Sequence, residues 1–283
     1  TVFGNVGRDQ ATTNLLAVCA HLNIDIPVYM GADRPLTQPI IDAKYVHGDD
    51  GLGGARRPAK QALAASNDGI GELRRIFGDA AGKGERVDIL MIGPLTNLAL
   101  ALRLEPSIID GIGTLTIMGG NVYGRGNTTP AAEFNIYADP EAAHVVLTAG
   151  IETVVIPWEP CTTHFMEGER VDALFEGIPQ SVMSDFSQAL ASHARQNGIR
   201  RGNPDRFLYV DPLAAAVVLD PTMVTKSVFA SSSVELSPGL TRGMTLVDPS
   251  GRLGTPKITF VEEVDIAKVD ALYARSVAFT PKH

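Results

Sequence analysis

The sequence predicts an α/β fold, a single domain built on a mostly parallel, Rossmann-like sheet flanked by helices, with a few short antiparallel strands near the C-terminus. Short apolar runs such as VDILMIG, GTLTIMG and ETVVIP each stop at a glycine or proline turn and alternate with helical patterns, which is how strand and crossover helix read in a parallel sheet. The last third changes character, since SVFASSSVELSPGLTRGMTLVDPSGR and KITFVEEVD read as short antiparallel strands with a hairpin. With 283 residues, 45% of them hydrophobic and 20% charged, the chain can bury one large core. No internal repeat, low-complexity run or linker divides it, so 1–283 reads as one domain.

Taken in order, TVF reads as a strand running into GNVGRDQATTNLLAVCAHL, where Leu15, Leu16, Cys19 and Leu22 recur at helix spacing. IPVYMGA is the next expected strand. VDILMIG then leads to the helix of GPLTNLALALRL, and GTLTIMG leads to a long polar loop. Asp139 and Pro140 open the helix PEAAHVVLTAG as N-cap and first residue. After the strand ETVVIP, SVMSDFSQALASHARQNG is an amphipathic helix, Asp211-Pro212 opens LAAAVVLD, and DALYARSVAF closes the chain as a helix.

The bulk numbers also narrow the function. A formal net charge of −8 argues against a nucleic-acid partner, whose phosphates ask for a basic face, and favours a neutral or cationic small molecule or a metal. Cys19 and Cys161 make neither a disulfide framework nor a zinc spacing, which suits a reducing compartment, with the cytoplasm as the expected location. No run approaches the roughly 20 apolar residues of a membrane span, and no secretory leader is legible.

In open α/β sheets ligands gather at the carboxyl ends of the strands. That rule nominates Asn5, Thr96 and Asn97, Met118 to Asn121, and Glu159 to His164. Each has an ordinary alternative. Thr96, Asn97 and Asp211 could be helix caps, Asn5 a turn residue, and HGDDGLGG, from His47, a surface loop. Glu133 and Asn135 stand out, because residues two apart in an extended segment point to one side and could converge with Asn127 on a polyhydroxylated ligand while Phe134 anchors in the core. A dinucleotide fingerprint is missing, and GPLTN has no phosphate-cradling lysine.

Together, FGNV, HGDDGLGG, IGPLTNLALAL, IMGG, GRGNTTPAAEFNIYADPEAAHVV and DPLAAAVVLDP resemble, over nearly the whole chain, the inosine-uridine preferring nucleoside hydrolases. The resemblance implies calcium-assisted hydrolysis of ribonucleosides to ribose and free base, in nucleoside salvage, by a homodimer or homotetramer. It implies that Thr96, through its carbonyl, and Asp211 bind Ca²⁺, and that Asn127, Glu133 and Asn135 hold the ribose hydroxyls. Met118 would lie along the sugar, Asn5 beside the water and ribose, and His47 in the loop over the base. Oxygen-only ligands suit a hard cation such as Ca²⁺.

Two departures shape the expectation. The family's opening DTDxGxDD motif, which brings most calcium ligands and the general-base aspartate, would lie ahead of Thr1; a polypeptide beginning at Thr1 would hydrolyse little. Many members carry histidine before the late aspartate, where this chain has Val210, which donates no proton. His193, Arg195, Arg200 and Arg201 are the nearby candidates for a leaving-group acid, each with an ordinary reading as a helix-face or loop residue, and Trp158 reads as core before it reads as a base-stacking ring. A non-catalytic nucleoside- or ribose-binding relative is the alternative, and a hydrolase of another N-riboside a third reading.

Overall fold

Six strands form the main sheet in the order β1-β2-β3-β8-β6-β7, in a computed structural model that describes residues 1–58 and 62–280. In chain order, α1 (Arg8–Leu22), α2 (Lys44–His47) and α3 (Gly69–Lys83) precede β1 (Val87–Met91). Next come α4 (Thr96–Leu104), β2 (Ile112–Met118), α5 (Phe134–Ala138), α6 (Pro140–Leu147), β3 (Thr153–Ile156) and α7 (Trp158–Thr163). A small excursion holds β4 (Phe165–Glu167), α8 (Gly168–Gly177), α9 (Val182–Arg200) and β5 (Arg206–Leu208), with β4 and β5 paired antiparallel. The chain closes through α10 (Asp211–Leu219), β6 (Val224–Val234), β7 (Thr245–Asp248), β8 (Lys257–Val264) and α11 (Ile266–Val277).

β1, β2, β3 and β8 run parallel, while β6 pairs antiparallel with both β8 and β7. β8 is therefore where the parallel half of the sheet meets the antiparallel hairpin. Parallel strands are covered on both faces and read as continuous apolar runs, and β2 follows that rule: Leu115 and Ile117 are fully buried and Met118 nearly so. Around them α3, α4 and α6 contribute Phe77, Leu95, Leu98, Leu102, Val146 and Leu147 to one core. Each such side chain contributes about 1.5–3 kcal/mol on burial. A second core, on the other face, gathers Met118, Ile156, Tyr209, Leu213, Val217 and Val261, with Trp158 packed against it.

Two of the expected strands are absent. TVF and IPVYMGA stay irregular, apart from an isolated bridge between Tyr29 and Ser66. They do lie side by side: the Thr1 amine donates to the Tyr29 carbonyl at 2.6 Å, Gly31 N to Thr1 O at 2.9 Å, and Phe3 N to Ala32 O at 3.1 Å. The carboxamide of Asn97 takes the place of further rungs, accepting from Ala32 N at 2.7 Å and donating to Thr1 O at 3.0 Å. A Cβ at Gly31 would overlap that carboxamide, so only glycine lets the two segments close around it.

Local chemistry corrects three further expectations. The extended stretch ends at Glu133: it is the N-cap of α5, and Phe134 and Asn135 lie in the first turn of that helix. Thr96 and Asn97 do not cap α4, whose N-cap Leu95 has no side-chain cap bond, and Asp211 is the first residue of α10 behind Val210. Asp139 does cap α6, accepting from Ala142 N at 3.1 Å with Pro140 next in line.

Candidate active site

The crevice is built from the loops that follow β2 and β3. At its centre the buried carboxylate of Glu133 accepts from Gly120 N at 3.0 Å, Asn135 N at 2.9 Å and Ile136 N at 3.3 Å. Burial pushes its pKa up, opposed by these amides and by Asn127. Asn135 is held from the other side, since its Nδ2 donates to the Met118 carbonyl at 3.0 Å and touches Met118 Sδ at 3.5 Å. Asn127 Oδ1 accepts from Phe134 N at 2.7 Å, and its side chain also hydrogen-bonds Glu133. Phe134 packs into a small cluster with Phe3, Ala43 and Ala138.

Asp211 approaches this group from the start of α10. No described residue hydrogen-bonds its carboxylate, and burial, then the charge of Glu133, push its pKa up to about 7. The buried Cys161 thiol is pushed well up by burial and by the charges of Asp211, Glu133 and Glu159, which places all four groups in one electrostatic neighbourhood. Glu159, at the start of α7, secures the loop after β2 by accepting from Val122 N and Tyr123 N at 2.9 and 2.8 Å.

Thr96 is fully buried, its hydroxyl donating to Asp139. Asn5 is half-buried and its carbonyl accepts from Ala43 N at 3.0 Å, tying the first loop to the segment entering α2. His47 ends α2, half-buried, with its pKa pushed down by burial and by His193. Val46 beside it packs on the Phe134 cluster, so the His47 segment borders the same crevice. Among the proposed leaving-group acids, Arg195 is committed elsewhere: it is ion-paired with Asp205 at 2.8 Å and with Asp172 at 2.5 Å, and that raises its pKa further. Arg201 stacks toward Tyr45.

A family model described as inosine-uridine preferring nucleoside hydrolase matches residues 1–271. The chain belongs to that family. As a nucleoside hydrolase it is 34% identical over 283 residues to the non-specific ribonucleoside hydrolase RihC of Klebsiella pneumoniae, covering 99% of this chain and 89% of that protein. To the pyrimidine-specific ribonucleoside hydrolase RihB of Escherichia coli it is 32% identical over 264 residues, covering 92% of this chain and 81% of that one. Among solved structures, a plant nucleoside hydrolase superimposes with a TM-score of 0.86 at 26% identity, covering 98% of this chain and 89% of that chain. An inosine-guanosine nucleoside hydrolase gives 0.85 at 28% identity with the same coverage, 98% and 89%.

Sequence reasoning passed over Asp139 as anything but a cap, and over Glu159 as a loop clamp. The signal for Asp139 was its place in the AEFNIYADPE run beside a buried threonine that no pattern could pair with it. Glu159 carried no signal beyond its position at a strand end.

Proposed function

We propose that this nucleoside hydrolase cleaves the N-glycosidic bond of ribonucleosides to ribose and free base, with Ca²⁺ in the crevice, and that it serves nucleoside salvage. The observation that carries this reading is the Glu133 carboxylate, oriented by three backbone amides and set beside an Asp211 carboxylate that has no described hydrogen-bond donor. Glu133, Asn135 and Asn127 take the ribose hydroxyls in this reading, Met118 lies along the sugar, and Asn5 lies beside the water and ribose. Hydrogen bonds from ribose hydroxyls to a fixed carboxylate strengthen as positive charge develops on the ring.

Asp211 fits a hard cation, because a buried carboxylate without a donor is stabilised by one. Asp211 and the Thr96 carbonyl are ligands of the ion in this reading; among the described residues no group of three or more His, Cys, Asp or Glu is placed to hold a metal. Bound Ca²⁺ would orient the ribose diol and lower the pKa of a water.

No helix among the described residues is long and apolar enough to cross a membrane. A cytoplasmic homodimer or homotetramer is the setting proposed for the enzyme. The test is direct: incubate the purified protein with inosine, uridine, cytidine and adenosine in calcium and then in chelator, and measure reducing sugar. Ribose release that chelator abolishes supports the reading. Ribose binding with no release from any of the four nucleosides would overturn it.

A further inference from the structure

Helix α9 presents a face that nothing in the reaction above uses. Phe186, Leu190 and His193 recur at helical spacing and, with Arg201 at the C-cap, meet the segment 43–57. Phe186 packs with Leu52 and Ala55, Leu190 beside them. Arg201 lies 5.7 Å from the centre of the Tyr45 ring. His193 makes the polar link: its Nε2 donates to the Val46 carbonyl at 2.9 Å, between residues 147 apart in sequence.

The same imidazole also lies against Gly53, whose φ of 58° is in the left-handed region; a Cβ there would overlap the ring. Gly53 N in turn donates to the His47 carbonyl at 2.9 Å. His47 is thus bracketed, its predecessor's carbonyl held by His193 and its own held by a glycine seated on His193. The far part of the segment is pinned without His193, because Asp50 Oδ1 accepts from Leu52 N at 2.9 Å and Asn14 Nδ2 donates to Asp50 O at 2.8 Å.

We propose that His193 is a positioning residue for the reaction: through Val46 and Gly53 it fixes His47 at the mouth of the crevice and so sets affinity for the base of the nucleoside rather than for its ribose. The inference rests on the hydrolase reading for its kinetic consequence, while the positioning itself is a property of the segment. Glu133 and Asn135, assigned to the ribose above, are held through Gly120, Ile136 and Met118, with no hydrogen bond to His193, Val46 or Gly53.

Two variants test it. His193→Phe keeps a ring against Gly53 and removes the donor; His193→Gln restores an amide donor near the Nε2 position. The measurements are KM and kcat for inosine and uridine, inhibition by free ribose, and hydrogen exchange at residues 46–54. In His193→Phe, KM rises about three- to tenfold, the range expected for one lost hydrogen bond, with kcat and the ribose inhibition constant unchanged. Exchange at the Gly53 amide quickens, and His193→Gln recovers both. An unchanged KM in His193→Phe, or KM and the ribose constant rising together, would overturn the proposal. If the wild type releases no ribose at all, the hydrolase reading fails on its own, and the latch is then judged by exchange, where an unaltered Gly53 amide in His193→Phe overturns it.

Discussion

The Thr96 hydroxyl donates to Asp139 Oδ2 at 2.7 Å with both side chains fully buried, which fastens the first turn of α4 to the cap of α6. Asp139 also accepts from Leu36 N at 3.0 Å and Ala142 N at 3.1 Å. One carboxylate therefore satisfies three donors from three parts of the chain.

Asp139→Ala strands those donors in the interior and costs about 3 kcal/mol or more. Asp139→Asn costs nearly as much if its amide turns a donor toward a donor, whereas Thr96→Val, losing a single bond, costs about 1 kcal/mol. Urea unfolding of the three variants checks the order; equal losses for Asp139→Ala and Thr96→Val would contradict it.

Asp211 gives stability a pH dependence. Its pKa in the folded protein is raised to about 7 by burial, then by Glu133, so the native state holds a proton that the unfolded chain gives up near 4. Its contribution is complete below about pH 4 and is lost as pH rises through 7. The metal-free Asp211→Asn protein should accordingly melt higher than the metal-free wild type at pH 8, and the two should converge near pH 4. The same variant should lose calcium binding in calorimetry.

Glu133→Gln tests the ribose contact. A glutamine oxygen can serve part of the amide cluster, so the fold survives with a loss of about 1–2 kcal/mol at the α5 cap, but its NH₂ side opposes the ribose hydroxyls. Ribose release should fall by about 10²–10³ with the melting temperature only modestly lowered. Comparable activity in the variant would remove Glu133 from the site.

Val210 stands where the family resemblance implies a proton donor, and it is partly buried against the second core. Val210→His should raise kcat/KM for inosine about tenfold and add a limb near pH 6.5 to the rate profile, the signature of a new general acid. A rate profile without that limb would place leaving-group activation elsewhere.

Most of the parallel sheet was legible because β1, β2 and β3 are short apolar runs closed by glycine or proline, and the antiparallel end because alternation changes after Pro221. The helix over Gly69–Lys83 was passed over: its six small residues, Gly69, Gly71, Gly78, Ala80, Ala81 and Gly82, blur the apolar spacing, and its first glycine packs against Met30 and Gly31 backbone, a tertiary reason. Thr1 to Phe3 and Val28 to Ala32 look like strands in composition, yet their ladder is taken over by the side chain of Asn97, which no local pattern encodes. In the site, residue identities carried the motif of Glu133 and Asn135 but not its geometry. The expectation of alternating sides failed because the Glu133 carboxylate collects the free amides of α5 and turns the chain into a helix at that point.

The Asn97 carboxamide has a mechanical consequence. By gripping Thr1 on one side and Ala32 on the other from the first turn of α4, it makes the approach to Asn5, the floor under Thr96 and the entry to the 33–43 stretch a single lever. Segments 31 residues apart in sequence thus share one anchor on α4, and shortening that anchor by Asn97→Ala would free both at once.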